Sequence, residues 1–237
     1  SRFWFCLNGV AWYLSVQAFL YAIFPWLLAV LKKVDTRRLR CIAAAIFCAQ
    51  FLFALAIWKA GLSGKSIFYL TYLCPLFRAG GFAISCCMGC LYHSRKEERI
   101  PYGAFSLLEL AAVLFSGGCF FIAARQVGAL GAVAFRYNVL FTPSAVLLVW
   151  LLAVGKGVIS RLLSAKPFLW LAGLSPYGFL IHQVLIRYME LAANKLGLTA
   201  HPVVWTLTVF LLTLCLSSFY KALEHRVRKR HAKAAAQ

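Results

Sequence analysis

Acidic side chains are scarce in this sequence: it has six Asp and Glu in 237 residues, and Asp35 is the single aspartate. Neither an Asp-bearing catalytic triad nor a His-x4-Asp motif is therefore available. Charge of either sign is sparse, since 13% of residues are charged against roughly a quarter in soluble domains. Hydrophobic residues make up 63% and arrive in long blocks, without the periodicity of half-buried elements. This composition excludes a soluble globular domain and predicts a membrane protein.

The net charge of +19 would suit a nucleic-acid-binding protein, because basic patches attract phosphate. Here, however, the basic residues form short runs between hydrophobic blocks. Membrane topology and anionic lipid headgroups explain such runs better. We therefore expect the lipid bilayer as a partner and no nucleic acid.

Nine cysteines are present, most of them inside hydrophobic stretches, where Cys acts as a small apolar packing residue. Cys86, Cys87 and Cys90 form a C-C-x-x-C pattern, but no nearby His or carboxylate completes a metal shell. Helix packing is the preferred interpretation, and we predict no metal site. The pairs Gly80-Gly81 and Gly117-Gly118 are likewise interpreted as close-packing positions between helices, not as phosphate loops.

Seven segments reach the length of about 20 apolar residues that crosses the hydrocarbon of a bilayer, within a few residues at each end. The predicted fold is therefore all-α, a polytopic transmembrane helix bundle forming a single membrane domain over residues 1–237. The segments are Trp12–Leu31, Cys41–Trp58, Ile67–Tyr92, Phe105–Ala124, Leu140–Val154, Leu169–Leu191 and Val203–Leu223.

Basic residues concentrate in alternate connections, which predicts orientation by the positive-inside rule. The connections that are rich in lysine and arginine follow the first, third, fifth and seventh segments. They contain Lys32, Lys33, Arg37, Arg38 and Arg40; Arg95, Lys96 and Arg99; Lys156, Arg161 and Lys166; and Lys221, Arg226, Arg228, Lys229, Arg230 and Lys233. The poor connections contain Lys59, Lys65, Arg125, Arg136, Arg187 and Lys195. We predict a multi-pass protein of the inner (plasma) membrane with a basic cytoplasmic tail at residues 225–237.

The first segment then enters from outside. The chain also opens on Ser1, with no signal peptide, so we expect a fragment that lacks an odd number of preceding helices.

Ionisable groups inside membrane spans are costly and are functional candidates by default, and three stand out here: Arg78, Glu109 and His182. Arg78 follows Pro75 near a helix start. Two roles for Arg78 remain open: a structural one, as a snorkelling anchor or a member of an ion pair, and a functional one, as a clamp that binds an anion. His182 lies about 9 Å beyond Ser175-Pro176, interpreted as an N-cap and first-turn pair. Taken alone, His182 is better explained as a packing histidine. For Glu109 we favour a structural role.

Three stretches together resemble the integral-membrane acyltransferase-3 family, which O-acylates surface polysaccharides and other envelope molecules. Residues 12–25, WYLSVQAFLYAIFP, resemble the family's W-S-L-S-V-E-x-x-F-Y-x-x-x-P. Phe77-Arg78 with Phe82 resembles F-R-x-x-E-F-x-x-G. Leu174-Ser175 through Leu180, Ile181 and His182 resembles I-S-Y-S-L-Y-L-x-H. Tyr220-x-x-x-Glu224 before basic residues is similar to the family's closing element. The resemblance runs over nearly the whole chain in the family's order.

The resemblance implies ten helices with both ends cytoplasmic, of which about seven are visible here. It also implies a catalytic histidine and paired arginines upstream of Ser1, so we expect this chain alone to be inactive. Gln17 and Gly81 stand where the family usually has Glu, and Arg226 where it has Pro. These departures have three possible explanations: the protein belongs to a diverged subgroup of the family, it uses a different acceptor, or it has lost activity.

For the intact protein the resemblance implies acyl transfer, with acetyl-CoA as the donor and a hydroxyl of a surface glycan as the acceptor. No bound cofactor is expected. Arg78 and His182 are the candidate catalytic residues. The candidate substrate-binding residues are Ser15, Gln17, Tyr21, Ser175 and Gln183. The alternatives are a transporter or flippase-like protein using Arg78, Glu109 and His182 as a path, and a non-catalytic relative of the acyltransferases.

Overall fold

The computed structural model describes residues 11–94, 101–125, 134–136, 139–197 and 201–234, with the side chains of Ala11 and residues 230–234 left undescribed. Every regular element in these ranges is helical. The α-helices are α1 Ala11–Leu31, α2 Thr36–Lys59, α3 Gly64–Phe68, α4 Pro75–Ser94, α5 Tyr102–Arg125, α6 Phe141–Val154, α7 Val158–Leu163, α8 Lys166–Ala172, α9 Ser175–Leu196 and α10 Pro202–Ala234. A π-helical turn, Tyr69–Leu73, lies between α3 and α4.

Within the described ranges, five stretches are long and apolar enough to cross a membrane: Trp12–Leu31, Thr36–Lys59, Tyr102–Arg125, Ala134–Val154 and Pro202–Lys229. Two bent helix pairs also qualify, Gly64–Leu73 with Pro75–Ser94 at 41°, and Lys166–Ala172 with Ser175–Leu196 at 58°. If each bent pair is one span, the total is the predicted seven. The predicted all-α transmembrane class is confirmed. Ser1, Arg95, Lys96 and Arg99 lie outside the described residues.

Large apolar side chains cover the outside of the helices, as a lipid solvent allows. Leu107 on α5 and Leu211 on α10 are more than half exposed, as are many others on the spanning helices. Contiguous exposed apolar surface of this extent would aggregate in water. The burial pattern therefore agrees with the composition: these helices have apolar exteriors suited to hydrocarbon.

The chain divides into two compact units. Residues 15–163 form one, here called the central unit; residues 1–14 and 164–237 form the other, here called the terminal unit. In the central unit α2 packs against α4, α5 against α6 and α7, and α4 against α6. In the terminal unit α9 packs against α10.

Cys87 is fully buried in a cluster of the central unit with Leu31, Leu39 and Leu91, and Cys86 and Cys90 pack against it. The interpretation of the C-C-x-x-C cysteines as packing residues is confirmed.

The two glycine pairs behave differently. A Cβ at Gly80 would lie 2.6 Å from Nε2 of Gln50 on α2, so the predicted close packing is confirmed there. At Gly117 and Gly118 an added Cβ would meet no atom of the described residues within 4 Å. The prediction of close packing at that pair was wrong, because this face of α5 is exposed.

Two helices end on glycines that need a left-handed backbone. Gly155 has φ 73° after α6, and Gly197 has φ 62° after α9; each N–H bonds to the carbonyl four residues back. Glycine adopts this conformation without the steric penalty of a Cβ. Both spans therefore stop sharply, and at Gly155 this allows α7 to begin close by.

The last helix continues into the predicted tail. α10 has 33 residues, or roughly 50 Å at 1.5 Å per residue, against roughly 30 Å of hydrocarbon. The basic segment from residue 225 is thus helical as far as Ala234. The tail therefore continues the same helix as the final span.

Candidate functional site

The third span is broken between the π-helical turn and α4. Cys74 is extended at φ −64° and ψ 120°, and its N–H bonds to the Tyr69 carbonyl five residues back. Pro75 follows as the first residue of α4. Proline pushes the preceding residue out of the helical region and has no N–H to continue the ladder. The helix start predicted at Pro75 is confirmed, and its local cause is the proline.

Arg78 lies in the first turn after this break and folds back onto it. Its Nε donates to the Tyr72 carbonyl at 2.9 Å, and its guanidinium lies 4.7 Å from the centre of the Tyr72 ring. A cation near the carbonyl end of a helical turn is favourable, and so is one over an aromatic face. The structure therefore gives Arg78 an anchoring role at the break. The same contacts fix the position of a group whose planar fork suits an oxyanion.

Gln50, which the sequence reasoning did not single out, ties α2 to the same turn of α4. Its Nε2 donates to the Phe77 carbonyl at 2.8 Å, and the side chain is 6% exposed. Its Oε1 is buried without a hydrogen-bond partner among the described residues. The available signal was an amide in the middle of an apolar run. A glutamine is not ionisable, so it lacks the charge that makes Arg78, Glu109 and His182 conspicuous inside apolar runs.

Glu109 has a structural role, as favoured from the sequence. The side chain is fully buried. Its Oε1 accepts from the Gly157 amide at 3.2 Å, and its Oε2 accepts from the amides of Ile159 at 2.8 Å and Ser160 at 3.3 Å. Donors on both oxygens fit an ionised carboxylate, and a negative charge at a helix N-terminus is favourable. Glu109 therefore caps α7. This structural role explains one of the three ionisable residues that the transporter alternative would use as a path.

His182 lies in the terminal unit, half-buried on α9. Its Nδ1 is 3.0 Å from the Gly178 carbonyl one turn earlier. A carbonyl can only accept, so Nδ1 carries the proton and Nε2 carries the lone pair of the neutral ring. Gly178 faces α10, where an added Cβ would lie 3.5 Å from Oγ of Ser217. This hydrogen bond holds Nδ1 of the imidazole against the backbone of its own helix.

Ser175 begins α9 with Pro176, but it is not the N-cap. The N-cap is Leu174, and no side chain caps the helix end. The predicted cap was wrong by one residue, because the preceding α8 ends at Ala172 and the chain turns within Gly173-Leu174. Ser175 is exposed and Gln183 is half-buried beside His182 in sequence. Their roles in substrate binding stay predictions.

The three candidates on α1 lie in the central unit with Arg78. Ser15 is exposed, Gln17 is half-buried and Tyr21 is 62% exposed. The helical spacing of Gln17 and Tyr21 puts both on one face, as predicted. Their proposed support of Arg78 stays a prediction.

A polar contact joins two of the motif stretches inside the terminal unit. Tyr177, in the stretch that contains His182, donates its hydroxyl proton to Oε2 of Glu224 on α10. Glu224 also pairs with Arg228 at 2.5 Å. In addition, the Lys221 ammonium lies against Gly173, at the end of α8, where an added Cβ would collide with it. Sequence reasoning placed Glu224 in a closing element but did not find its partner, which lies 47 residues away.

Comparison with known proteins agrees with the resemblance found in these stretches. No curated protein and no solved structure matches the chain. Residues 1–221 match the acyltransferase-3 family model, which is described as an acyltransferase domain. This match covers all the motif stretches up to Tyr220 and most of the described helices. The chain therefore belongs to the acyltransferase-3 family of membrane acyltransferases.

Proposed function

We propose that the intact protein is an O-acyltransferase that moves an acyl group, acetyl from acetyl-CoA, onto a hydroxyl of a cell-surface polysaccharide or another glycan. The family match over residues 1–221 carries the proposal. In this reaction the thioester C–S bond breaks and an ester C–O bond forms. A general base takes the hydroxyl proton, and the CoA thiolate leaves and is then protonated.

Arg78 would stabilise the negative charge that develops on the acyl oxygen, or orient the acceptor. Its Nε is committed to the Tyr72 carbonyl, so the guanidinium plane is fixed before any ligand arrives. A donor positioned in advance loses little freedom when charge develops, and in a water-poor site it acts strongly. The anchoring contacts thus support the catalytic proposal as well as explaining the fold.

His182 would line the path of the acyl donor with Ser175 and Gln183. In the neutral ring Nε2 is a hydrogen-bond acceptor, so it would accept a hydrogen bond from the acyl donor, acetyl-CoA, or take up a proton. Ser15, Gln17 and Tyr21 would contribute hydrogen-bonding groups near Arg78. The basic cytoplasmic connections would attract the phosphates of CoA.

The test uses the protein encoded by the complete gene, in inverted vesicles from a strain that lacks glycan O-acetylation. Labelled acetyl-CoA is supplied outside the vesicles, and ester-linked label in the glycan is measured. Arg78→Ala should lower kcat at least about 100-fold, the usual effect of removing one oxyanion donor. Arg78→Lys should recover only part of this loss, because lysine has no planar fork.

Arg125→Ala is the matched control, since the Arg125 guanidinium also lies over a nearby aromatic ring, at 4.8 Å from the centre of Phe121. It should retain normal turnover. Each variant is first shown to be monodisperse with a normal thermal transition. Normal kcat in folded Arg78→Ala would remove Arg78 from the mechanism. A folded wild-type protein that transfers nothing would instead be a non-catalytic relative, as Gln17 and Gly81 allow.

A further inference from the structure

We propose that the central unit holds one anionic phospholipid of the bilayer in a cavity between α1, α4 and the start of α2. One acyl chain lies along α1, and the phosphate lies at Lys32 and His93. This site is separate from Arg78, and its occupancy does not depend on the acyl-transfer reaction.

The cavity has a volume of about 640 Å³ and an apolar body. Phe24, Leu28 and Leu31 line it at helical spacing from one face of α1, and Leu39 closes it from α2. At the inner end the ring of Phe24 meets that of Phe82 edge-on, with centroids 6.0 Å apart, so α1 and α4 touch there. From Phe24 to Lys32 the wall runs roughly 12 Å along the helix axis. Those dimensions suit part of an acyl chain running parallel to the spans.

The other end of the cavity is polar and basic. Lys32, His93 and Ser94 line it, at the ends of α1 and α4, and all three are exposed. No carboxylate is among the residues that line the cavity. A lysine at the membrane surface favours anionic lipid, and the ring N–H of His93 adds a hydrogen-bond donor for a phosphate oxygen. The apolar body and the basic mouth are therefore arranged in the order of a lipid tail and its headgroup.

The cavity opens sideways as well. Gly89 lines it from α4, is exposed, and would meet nothing within 4 Å if it carried a Cβ. Phe24 and Ser85 are also exposed on this wall. A lipid can therefore enter laterally from the surrounding leaflet, where it is always at high concentration. Lateral access and charge together favour a bilayer lipid over a ligand from the aqueous phase.

Native mass spectrometry of the full protein in detergent tests the proposal with phosphatidylglycerol and phosphatidylcholine of identical chains. Wild type should retain one phosphatidylglycerol per chain in preference to phosphatidylcholine. Gly89→Leu fills the cavity and should lower phosphatidylglycerol binding at least tenfold, whereas Gly117→Leu, on a lipid-facing glycine of α5, should not. Lys32→Gln should weaken binding about fivefold, the effect of one lysine near an anionic surface. Lys33→Gln, beside the cavity wall, should have little effect.

A second measurement uses the wild-type protein, so its result does not depend on whether Gly89→Leu folds. Cys86 and Cys90 line the cavity, whereas Cys41 is exposed on α2 outside it. Phosphatidylglycerol should slow maleimide alkylation of Cys86 and Cys90, relative to phosphatidylcholine, and leave Cys41 unchanged. Equal retention of both lipids, or equal alkylation in both, would overturn the proposal. If one molecule of palmitoyl-CoA displaced each phosphatidylglycerol, the cavity would be assigned to an acyl donor, and this result would also overturn the proposal.

Discussion

Glu109 and Arg78 are intramembrane ionisable side chains whose described bonds go to backbone groups at interruptions of the helices. Glu109 accepts from the amides that open α7, and Arg78 donates to a carbonyl of the π-helical turn. Helix ends leave backbone groups without partners in their own helix, and hydrocarbon has no water to supply them. At this scale, charged residues supply partners for backbone groups where a span breaks, just before α4, and where a helix begins in the connection after α6, at α7.

Loss of the Glu109 carboxylate should destabilise the protein measurably. Glu109→Ala removes the acceptor of the Ile159 and Ser160 amides, whereas the Gly157 amide also donates to Oγ of Ser160. A buried donor that loses its partner costs about 1–3 kcal/mol. We expect a loss of about 3 kcal/mol in the free energy of unfolding, measured by denaturant titration in mixed micelles. Glu109→Gln should lose less, because its carbonyl oxygen still accepts. Wild-type stability in Glu109→Ala would contradict the capping role.

Gly157 should tolerate no larger residue, because an added Cβ would collide with the Glu109 carboxylate. Gly157→Ala should destabilise the protein by about 1–3 kcal/mol, the usual effect of overpacking. Gly117→Ala is the control: it has open space and a helical backbone, so it should be neutral or slightly stabilising. Both are measured by the same titration, and equal effects of the two substitutions would refute the contact.

Gly80 and Gln50 should be energetically coupled. Gly80→Ala brings a Cβ to 2.6 Å from Nε2 of Gln50, so it should displace the bond to Phe77 and destabilise the protein by about 1–3 kcal/mol. In a Gln50→Ala background the obstructing side chain is gone and the same substitution should have a much smaller effect. A double-mutant cycle measures this difference. Additive effects would show that the two residues do not interact as described.

Residue-scale candidates were only partly accessible from the sequence. Arg78, Glu109 and His182 were found because an ionisable group in an apolar run is conspicuous. Gln50 was not found, and neither were the partners of Glu109. Those partners are backbone amides 48 to 51 residues further along the chain, and amides carry no signal in the residue types.

The broken spans are the main feature at the scale of elements. The third span breaks at Cys74-Pro75, just before the stretch that contains Phe77-Arg78, and the sixth breaks at Gly173-Leu174, where the stretch that contains His182 begins. Proline accounts for the first break and was interpretable from the sequence. The second bend has Pro176 within the first turn of α9, and the polar contacts of Glu224 and Lys221 lie beside it. Proline thus marks both helix starts, but only three-dimensional contacts explain the position of the second bend.

The bond between Tyr177 and Glu224 should stabilise the start of α9. Tyr177→Phe and Glu224→Gln should each lower the thermal transition temperature, and the double variant should lose less than their sum because they share one interaction. Tyr188→Phe on the same helix is the control, since Tyr188 is 72% exposed. Arg228→Gln should matter little, as exposed ion pairs contribute less than about 1 kcal/mol. Strict additivity in the cycle would argue against the bond.

At the scale of the whole molecule, the number of spans and the all-α class were predictable because each span contains its own signal of length and hydropathy. The two-unit division was not predicted, since all spans have similar compositions. The membrane orientation stays a prediction that depends on lysine and arginine positions.

Reporter fusions test that orientation. A fluorescent protein fused after Gln237 should fold and fluoresce in the cytoplasm, and alkaline phosphatase at the same position should be inactive. Fusions after Gly197, which follows Lys195 on the opposite side, should give the reverse result. An active phosphatase after Gln237 would invert the proposed topology.

The capping contact of Glu109 also has a consequence for the order of biosynthesis. The ribosome makes Glu109 about 50 residues before the backbone amides that donate hydrogen bonds to it. The intervening helix α6 must be made and inserted before those amides are made. During that interval the carboxyl group has no partner from α7, and a charge in hydrocarbon is unstable. Stable placement of α5 in the bilayer therefore depends on residues that are made after it, at the start of α7. The carboxylate of Glu109 therefore gains the hydrogen bonds seen in the structure only after α5, α6 and the start of α7 have all been made.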